Sequence, residues 1–170
     1  MTSLLPQLQL ELPAHIVLRR GNFLDSGADA LVNTVNVVGV MGRGIAKEFR
    51  GRYPEMFRAY EGRCRHQLAK IGWIDTHIVR DSTGRARFVL NFPTKKHWRD
   101  PSRLEWIDQG LRDLRYLVER LESVRSVAIP PLGCGNSGLD WNAVMPRIVE
   151  TFRDLDSVRI EIYPPASPRN

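Results

Sequence analysis

The sequence from Val32 to Phe49, V-N-T-V-N-V-V-G-V-M-G-R-G-I-A-K-E-F, combines the features that decide the fold. It opens as an apolar run, breaks at closely spaced glycines, and closes with the apolar spacing of a helix. A strand, a glycine loop and a helix start together favour an anion, because glycines let the backbone approach a ligand and the first helical turn offers free N–H groups. The pattern matches neither G-x-G-x-x-G nor the P-loop signature. We expect a phosphate-binding turn of another kind, or a glycine-rich turn without a ligand.

The composition is that of one globular domain. The 170 residues are 42% hydrophobic and 26% charged, with a net charge of +6. This charge favours an acidic partner, although a basic domain without such a partner has the same balance. Two distant cysteines, Cys64 and Cys134, fit neither a disulfide framework nor zinc-ligand spacing, so we expect a reducing, cytoplasmic location. The sequence predicts no membrane span, no signal peptide and, from its four histidines, no metal site.

Strand and helix patterns alternate along the chain. Apolar runs predict strands at 15–20, 30–35, 72–79, 87–92, 124–131 and 158–163, and helical spacing predicts helices after the first glycine loop, at 54–64 and at 104–122. The segment 91–98 is expected to leave the sheet. Ser102 with Glu105 predicts a capping box for the long helix, and Asp140 is expected to cap a last helix. We predict a leader over residues 1–14, an α/β domain with a mixed sheet over 15–163, and a polar tail over 164–170.

A second strand–glycine–helix junction lies at Pro131 to Leu139, P-L-G-C-G-N-S-G-L. Ligands of layered α/β proteins lie at the carboxyl ends of strands, and both glycine loops occupy that position. Two facing loops that each donate backbone N–H groups suit a diphosphate better than a single phosphate. Cys134 has no histidine near it in the sequence, so we interpret it as a small apolar side chain rather than a nucleophile.

The order and spacing of several segments resemble the macrodomain family. These segments are Gly21 to Leu24, Val32 to Asn36, Gly42 to Ala46 and Pro131 to Trp141, and the resemblance covers residues 15–163. The segment Asn91 to Trp98, N-F-P-T-K-K-H-W, is similar to the branch that holds the terminal ADP-ribose protein glycohydrolase and the DarG antitoxins. The resemblance implies a three-layer α/β fold, with helices on both faces of a mixed β-sheet, and an ADP-ribose cleft over the strand ends.

The same resemblance implies an activity. DarG proteins remove ADP-ribose that a partner toxin, DarT, attaches to thymidine bases of DNA. The expected function is therefore an ADP-ribosyl glycohydrolase that acts on DNA, single-stranded in our expectation, with ADP-ribose as product, a DarT-type toxin as partner, and neither metal nor cofactor. Two alternatives stay open: a hydrolase of ADP-ribose esters on protein, and a non-catalytic reader that binds ADP-ribose. A DNA-binding module without nucleotide chemistry leaves both glycine loops unexplained.

The resemblance also implies a set of ligand contacts, in which the two glycine loops hold the distal ribose and the diphosphate from opposite sides. Asn22 falls where many macrodomains have an aspartate that binds the adenine amino group, and Tyr163 is placed to flank the adenine. The expected ligand-binding residues are Asn22, Phe23, Asn33, Asn36, Gly42, Gly44, Ile45, Ala46, Pro131, Gly133, Cys134, Gly135, Asn136, Ser137, Gly138, Leu139 and Tyr163. From the residues alone, Asn33 and Asn36 are also typical of strand-end caps, and Tyr163 of a core aromatic.

Lys95 is the expected catalytic residue, because the first lysine of the Thr-Lys-Lys run is catalytic in the resembling glycohydrolase branch. An amine of lowered pKa can attack the ring-opened sugar to form a Schiff base, or the lysine cation can stabilise the departing base, and both mechanisms stay open. Lys96 is expected to disfavour protonation of Lys95. From the residues alone, Lys95 and Lys96 are also typical of a solvated basic surface at a strand end.

Two further features accompany this assignment. The protein-directed glycohydrolase pairs its lysine with an aspartate in the second loop, whereas this chain has Asn136-Ser137 there and no carboxylate before Asp140. The resemblance therefore does not carry over the lysine–aspartate mechanism. His97 and Trp98 are typical of rings that stack on a nucleobase, with cations beside them for phosphates, although Trp98 could equally anchor the next helix.

Overall fold

The computed structural model describes residues 11–166, which form one six-stranded sheet with four α-helices. The strands are β1 (Ile16–Leu18), β2 (Ala30–Asn36), β3 (Asp75–Arg80), β4 (Ala86–Lys95), β5 (Ser126–Ile129) and β6 (Arg159–Ile162). The helices are α1 (Gly44–Arg52), α2 (Pro54–Arg65), α3 (Leu104–Arg120) and α4 (Trp141–Phe152). The sheet order is β1-β6-β5-β2-β4-β3, parallel throughout except that β3 pairs antiparallel with β4.

Two hydrophobic clusters cover the two faces of this sheet. On one face, α3 and α4 pack their apolar side chains against alternate residues of the strands, among them Val32 and Phe92. On the other face, α1 and α2 pack against the intervening strand residues, such as Leu31 and Val35. Because successive strand residues point to opposite faces, the nearly continuous apolar run of β2 fills both clusters. The predicted three-layer α/β fold with a mixed sheet is confirmed.

Helix α3 lies unusually close to β4 because of one glycine. A Cβ atom on Gly110 would lie 2.2 Å from Cζ of Phe92, so only glycine fits at this contact. Both Gly110 and Phe92 are buried, and the phenyl ring occupies the space that a side chain at 110 would need. This packing fixes the helix over the strand whose end carries Lys95.

The predicted capping box of the long helix is wrong. Helix α3 begins at Leu104, Arg103 occupies the N-cap position, and no side chain in the described part of the chain caps the helix. Ser102 is buried instead, its hydroxyl has no hydrogen-bond partner among the described residues, and its backbone N–H donates to the carbonyl of Ser137 at 2.9 Å. The segment before α3 is thus held by the second glycine loop rather than by its own helix.

The predicted strand ends differ from those of the structure by up to three residues, and one difference concerns the site. Residues 91–98 were expected to leave the sheet, but β4 continues through Lys95. Proline usually ends a strand because it lacks the N–H that strand pairing needs. Pro93 is tolerated within β4 because a β-bulge follows it directly. Of the predicted leader and tail, residues 1–10 and 167–170 lie outside the described part of the chain.

Candidate functional site

A cavity of about 720 Å³ lies at the carboxyl ends of the parallel strands β2, β4 and β5. This is the edge at which layered α/β proteins bind ligands. The cavity is lined by Thr34, Val35, Asn36, Val40, Gly42, Arg43, Gly44, Ile45, Ala46, Thr94, Lys95, Trp98, Arg99, Pro130, Pro131, Cys134, Gly135, Asn136 and Ser137. The charged members of this lining are Arg43, Lys95 and Arg99, and none is acidic. The cavity therefore favours a polyanion.

The first glycine loop is shaped from within by Asn36. The Asn36 side chain donates to the Val40 carbonyl at 2.8 Å and accepts from the N–H groups of Val38 and Val40, each at 3.2 Å. The Tyr60 hydroxyl donates to the Asn36 carbonyl at 2.8 Å. Gly39 has φ +83°, and a Cβ there would lie 3.2 Å from the backbone of α2. Asn36 thus caps the end of its strand and presents the loop to the cavity.

Helix α1 starts at the cavity, and no side chain among residues 11–166 caps its first N–H groups. Gly44, the first helical residue, has φ +56°, and the preceding Arg43 makes no side-chain cap bond. Gly44, Ile45 and Ala46 all line the cavity. The first N–H groups of a helix have no partner inside the helix, and they carry the positive end of its dipole. This turn has the geometry that favours an anion, which is the kind of turn that the sequence predicts here.

The second glycine loop faces the first across the cavity. Gly133, Gly135 and Gly138 have φ values of +69°, +75° and +86°, and a short 3-10 helix spans Gly135–Ser137. The Leu139 N–H donates to the Gly133 carbonyl at 3.0 Å, which closes the loop. The structure thus brings the two predicted loops to opposite sides of one cavity.

Lys95 reaches the cavity through a bulge in β4. The pairs Thr34–Phe92 and Val35–Pro93 are in register, but the next residue of β2, Asn36, pairs with Lys95, so Thr94 is the extra residue. The Thr94 hydroxyl donates to the Val35 carbonyl at 3.5 Å. A one-residue insertion changes the face to which the following side chain points, and bulges commonly aim residues in this way beside active sites.

The Lys95 ammonium is partly buried and donates to the Trp98 carbonyl at 3.1 Å. Burial lowers the pKa of Lys95 below its ordinary value; Asp100 acts against this change and Arg43 adds to it. Arg43 is thus a cation that disfavours protonation of Lys95, and the expectation that the adjacent Lys96 does so as well stays a prediction. Arg43 lies between Gly42 and Gly44 in the first loop, a position from which its role could have been inferred.

Several predicted ligand residues do not line the cavity. Asn33 is fully buried, and its amide donates to Asn91 at 3.0 Å, because strand alternation turns it towards the core under α1 and α2. Gly133 is buried against the Leu139 side chain, which packs on the core. Gly138 lies at the end of the short 3-10 helix. In the second loop, the cavity is thus lined by Pro131, Cys134, Gly135, Asn136 and Ser137.

Asn22 and Tyr163, the two residues expected near an adenine, lie with Phe23 beyond the carboxyl ends of β1 and β6. Phe23 and Tyr163 are both 8% exposed and pack edge to face, with ring centres 5.1 Å apart. Asn22 caps a short 3-10 helix, Phe23–Asp25, by accepting from the Leu24 N–H at 3.2 Å. These residues continue the line of strand ends outwards from the cavity.

The remaining sequence features have ordinary structural roles. Asp140 caps α4 by accepting from the Asn142 N–H at 2.9 Å, as predicted, which leaves it outside the cavity lining. Burial raises the pKa of the Cys134 thiol to about 11, so this residue is a neutral thiol at physiological pH. Within residues 11–166, no three His, Cys, Asp or Glu side chains are grouped to hold a metal. Over the same range, the helices are too short or too polar to cross a bilayer.

Comparison with known proteins agrees with this architecture. The solved macrodomain of Mycobacterium tuberculosis DarG is 49% identical, with a TM-score of 0.82 over 89% of this chain and 98% of that one. The curated DNA ADP-ribosyl glycohydrolase of M. tuberculosis is 50% identical over 146 residues, which are 86% of this chain and 41% of that protein. This chain therefore spans less than half the length of that curated relative.

A relative from Thermosipho africanus is named as a fusion of a transferase and a glycohydrolase. This DNA ADP-ribosyl transferase–DNA ADP-ribosyl glycohydrolase fusion protein is 29% identical over 97% of this chain and 46% of its own length. The structure of T. africanus DarTG in complex with ADP-ribose superimposes with a TM-score of 0.84 at 28% identity, over 94% of this chain and 44% of that one. The family model described as Macro domain matches residues 32–148. With the DarG-type resemblance confirmed, this chain belongs to the macrodomain family.

Proposed function

We propose that this macrodomain removes ADP-ribose from thymidine bases of DNA and thereby opposes a DNA ADP-ribosyltransferase toxin of the DarT type. The observation that carries the proposal is the position of Lys95, which a strand bulge directs into a cavity between two glycine loops. The names of the M. tuberculosis and T. africanus relatives supply the substrate class, the reaction and the kind of partner.

The two loops would hold the diphosphate of ADP-ribose. The uncapped N–H groups at the start of α1 face the cavity from one side, and the backbone of Gly135 to Ser137 faces it from the other. Arg43 and Arg99 add positive charge in a lining without acidic side chains. The distal ribose would then lie over the ends of β2 and β4, beside Lys95.

Lys95 would act as the nucleophile. Its burial and the nearby Arg43 favour the neutral amine, which is the form that attacks carbon. In this mechanism Nζ bonds to C1 of the distal ribose as the bond to the thymine nitrogen breaks, and the base leaves with that electron pair and takes a proton from Nζ. The bond between C1 and the ring oxygen then breaks as the C=N bond of the Schiff base forms, and the ring oxygen takes the second proton from Nζ. Water then hydrolyses the Schiff base, which frees ADP-ribose and restores the amine.

The absence of a carboxylate from the cavity lining bears on the leaving group. The second loop presents Asn136 and Ser137 to the cavity, and Asp140 is engaged as a helix cap. Departure of the base would therefore rely on the cations Arg43 and Arg99 rather than on a protein acid. A thymine ring suits this arrangement because its negative charge is delocalised over the ring carbonyl groups.

Two substrates test this proposal directly. One is a single-stranded oligonucleotide with one ADP-ribosylated thymidine, and the other is an acidic peptide with an ester-linked ADP-ribose. We expect the protein to release ADP-ribose from the oligonucleotide at the higher rate. Release from the peptide alone would assign the protein to hydrolysis of protein esters, and ADP-ribose binding without release from either substrate would make it a reader.

A further inference from the structure

The segment that follows Lys95 carries aromatic rings and cations in alternation. We call Lys96, Trp98, Arg99, Arg103 and Trp106 the basic strip. The Arg99 guanidinium carbon lies 4.5 Å from the centre of the Trp98 ring. The Lys96 ammonium and the Arg103 guanidinium carbon lie 5.6 Å and 5.2 Å from the Trp106 ring centre. Two tryptophans and three cations thus form two ring–cation groups within residues 96–106.

The basic strip begins at the mouth of the cavity. Trp98 and Arg99 belong to the cavity lining, whereas Lys96, Arg103 and Trp106 lie outside it. Trp98 is 41% exposed, and the His97 ring stacks on it with ring centres 5.2 Å apart and planes inclined by 29°. His97 and Arg99 both lie against this partly exposed ring, so a base would stack on Trp98 by displacing one of them.

Much of the strip's positive charge is not neutralised by the protein. Within residues 11–166, neither Lys96 nor Arg99 takes part in an ion pair, and Arg103 pairs at 3.4 Å with Glu105, whose side chain is 62% exposed. Asp100 is the other carboxylate of this segment, and it is exposed. Lys70 over Trp73 and Arg120 over Tyr116 are each a single cation with a single ring. The basic strip differs from these two pairs because it holds two rings and three cations within residues 96–106, and because it begins at the mouth of the cavity.

We propose that the basic strip binds the nucleotides of single-stranded DNA that adjoin the modified thymidine, an inference that rests on the proposed function. Cations interleaved with aromatic rings are the chemistry by which proteins bind single strands, phosphates meeting the cations and bases stacking on the rings. A duplex hides the faces of its bases, so a ring such as Trp98 can receive only an unstacked base. The strand would run from the cavity along the start of α3.

Two double variants test the strip against a matched control. Lys96→Gln/Arg103→Gln removes both cations over Trp106, and Lys70→Gln/Arg120→Gln removes a lysine over Trp73 and an arginine over Tyr116 outside the strip. Both variants lose two positive charges. The probe is a fluorescein-labelled, unmodified thymidine ten-mer, and binding is followed by anisotropy at several salt concentrations.

We expect the strip variant to bind the ten-mer about tenfold more weakly at low salt, and the slope of log K against log salt to fall by about one. The control variant should bind like the wild type. An equal loss of affinity in both variants would mean that overall charge attracts DNA, and wild-type affinity in both would mean that DNA binds elsewhere. Either result would contradict the proposal that the basic strip binds DNA.

This experiment is independent of catalysis, because its probe carries no ADP-ribose. If the protein binds the ten-mer through the basic strip but releases no ADP-ribose, the proposed function is wrong and the proposed DNA interface still stands. If the protein releases ADP-ribose from DNA but both double variants bind the ten-mer equally, the proposed DNA interface is wrong and the proposed function still stands. Thermal unfolding of both variants shows whether their folds are intact.

Discussion

Lys95 pairs with Asn36 across β2 and β4, one residue out of the register that the preceding pairs keep. Asn36 uses its side chain to shape the first glycine loop, and Lys95 carries the amine that we assign to catalysis. The bulge at Thr94 therefore brings Lys95 next to the residue that shapes the first glycine loop. This relationship is set by backbone pairing between two strands with apolar residues on both faces, which makes it rigid.

The rate of ADP-ribose release should depend on pH through Lys95. Burial disfavours the cation, so the pKa of this amine lies below its ordinary value of 10.5 and the neutral form appears at lower pH than for an exposed lysine. If the neutral amine attacks, the rate rises with pH and levels off above the lowered pKa. A rate that falls with rising pH would instead assign Lys95 a role as a cation.

Two substitutions shift this profile in opposite directions. Arg43 lowers the pKa of Lys95, so Arg43→Gln should move the rise in rate to higher pH. Asp100 raises that pKa, so Asp100→Asn should move the rise to lower pH. The measurement is the pH dependence of single-turnover release for both variants and the wild type. Identical profiles in all three proteins would show that the ionisation observed is not that of Lys95.

The start of α1 should be sensitive to loss of its first glycine. Gly44 has φ +56° with open space around it, so Gly44→Ala costs about 1 kcal/mol in backbone strain without a steric clash. That strain would displace the N–H groups that face the cavity, and we expect affinity for ADP-ribose, measured by calorimetry, to fall about tenfold.

The matched control for this change is Gly84→Ala, at a turn glycine with φ +84° and open surroundings between β3 and β4. It should reduce stability by a similar amount and leave ADP-ribose affinity unchanged. Equal affinities for the two variants would remove the helix start from the binding site.

The close contact between α3 and β4 predicts a large loss of stability from a small substitution. Gly110→Ala would place a methyl group within 2.4 Å of two carbons of the Phe92 ring, so we expect the free energy of unfolding to fall by about 1–3 kcal/mol. Gly62→Ala, in α2 with nothing within 4 Å, should instead raise it by up to about 1 kcal/mol. Denaturant titration measures both, and a neutral Gly110→Ala would show that the helix can move away from the sheet.

Cys134 lines the cavity but should be dispensable for chemistry. Burial raises the pKa of its thiol to about 11, so the thiolate that would be needed for nucleophilic attack is scarce at neutral pH. We expect Cys134→Ala to release ADP-ribose within about threefold of the wild-type rate, since losing a general catalytic group costs at least about 100-fold. A loss of that larger size would reopen the question of a cysteine nucleophile.

The sequence predicts the layered fold and both glycine loops because these depend on local patterns. The apolar run of β2 and the helical spacing of α3 each indicate which side chains are buried, and the loop glycines indicate positions of positive φ. The position of Lys95 in the site came from family resemblance. Its physical cause, the bulge, was missed because Pro93 is typical of a strand end.

Features that depend on distant contacts could not be predicted. The capping box failed because the Ser102 N–H is used by the Ser137 carbonyl, a partner far along the chain. The influence of Arg43 on Lys95 depends on the first loop folding over the end of β4. Asn33 resembled a ligand residue, but only the register with β4 shows that its amide is committed to Asn91.

The most direct measurement compares ADP-ribose release from a saturating single-stranded oligonucleotide by the wild type, Lys95→Ala and Lys96→Ala. Lys96 is the exposed neighbour and lies outside the cavity lining, so its variant controls for the loss of one charge. We predict that the single-turnover rate falls roughly 100-fold or more in Lys95→Ala, the size expected even for a purely electrostatic role, and far less in Lys96→Ala. Release by Lys95→Ala at the wild-type rate would contradict the assignment of catalysis to this lysine.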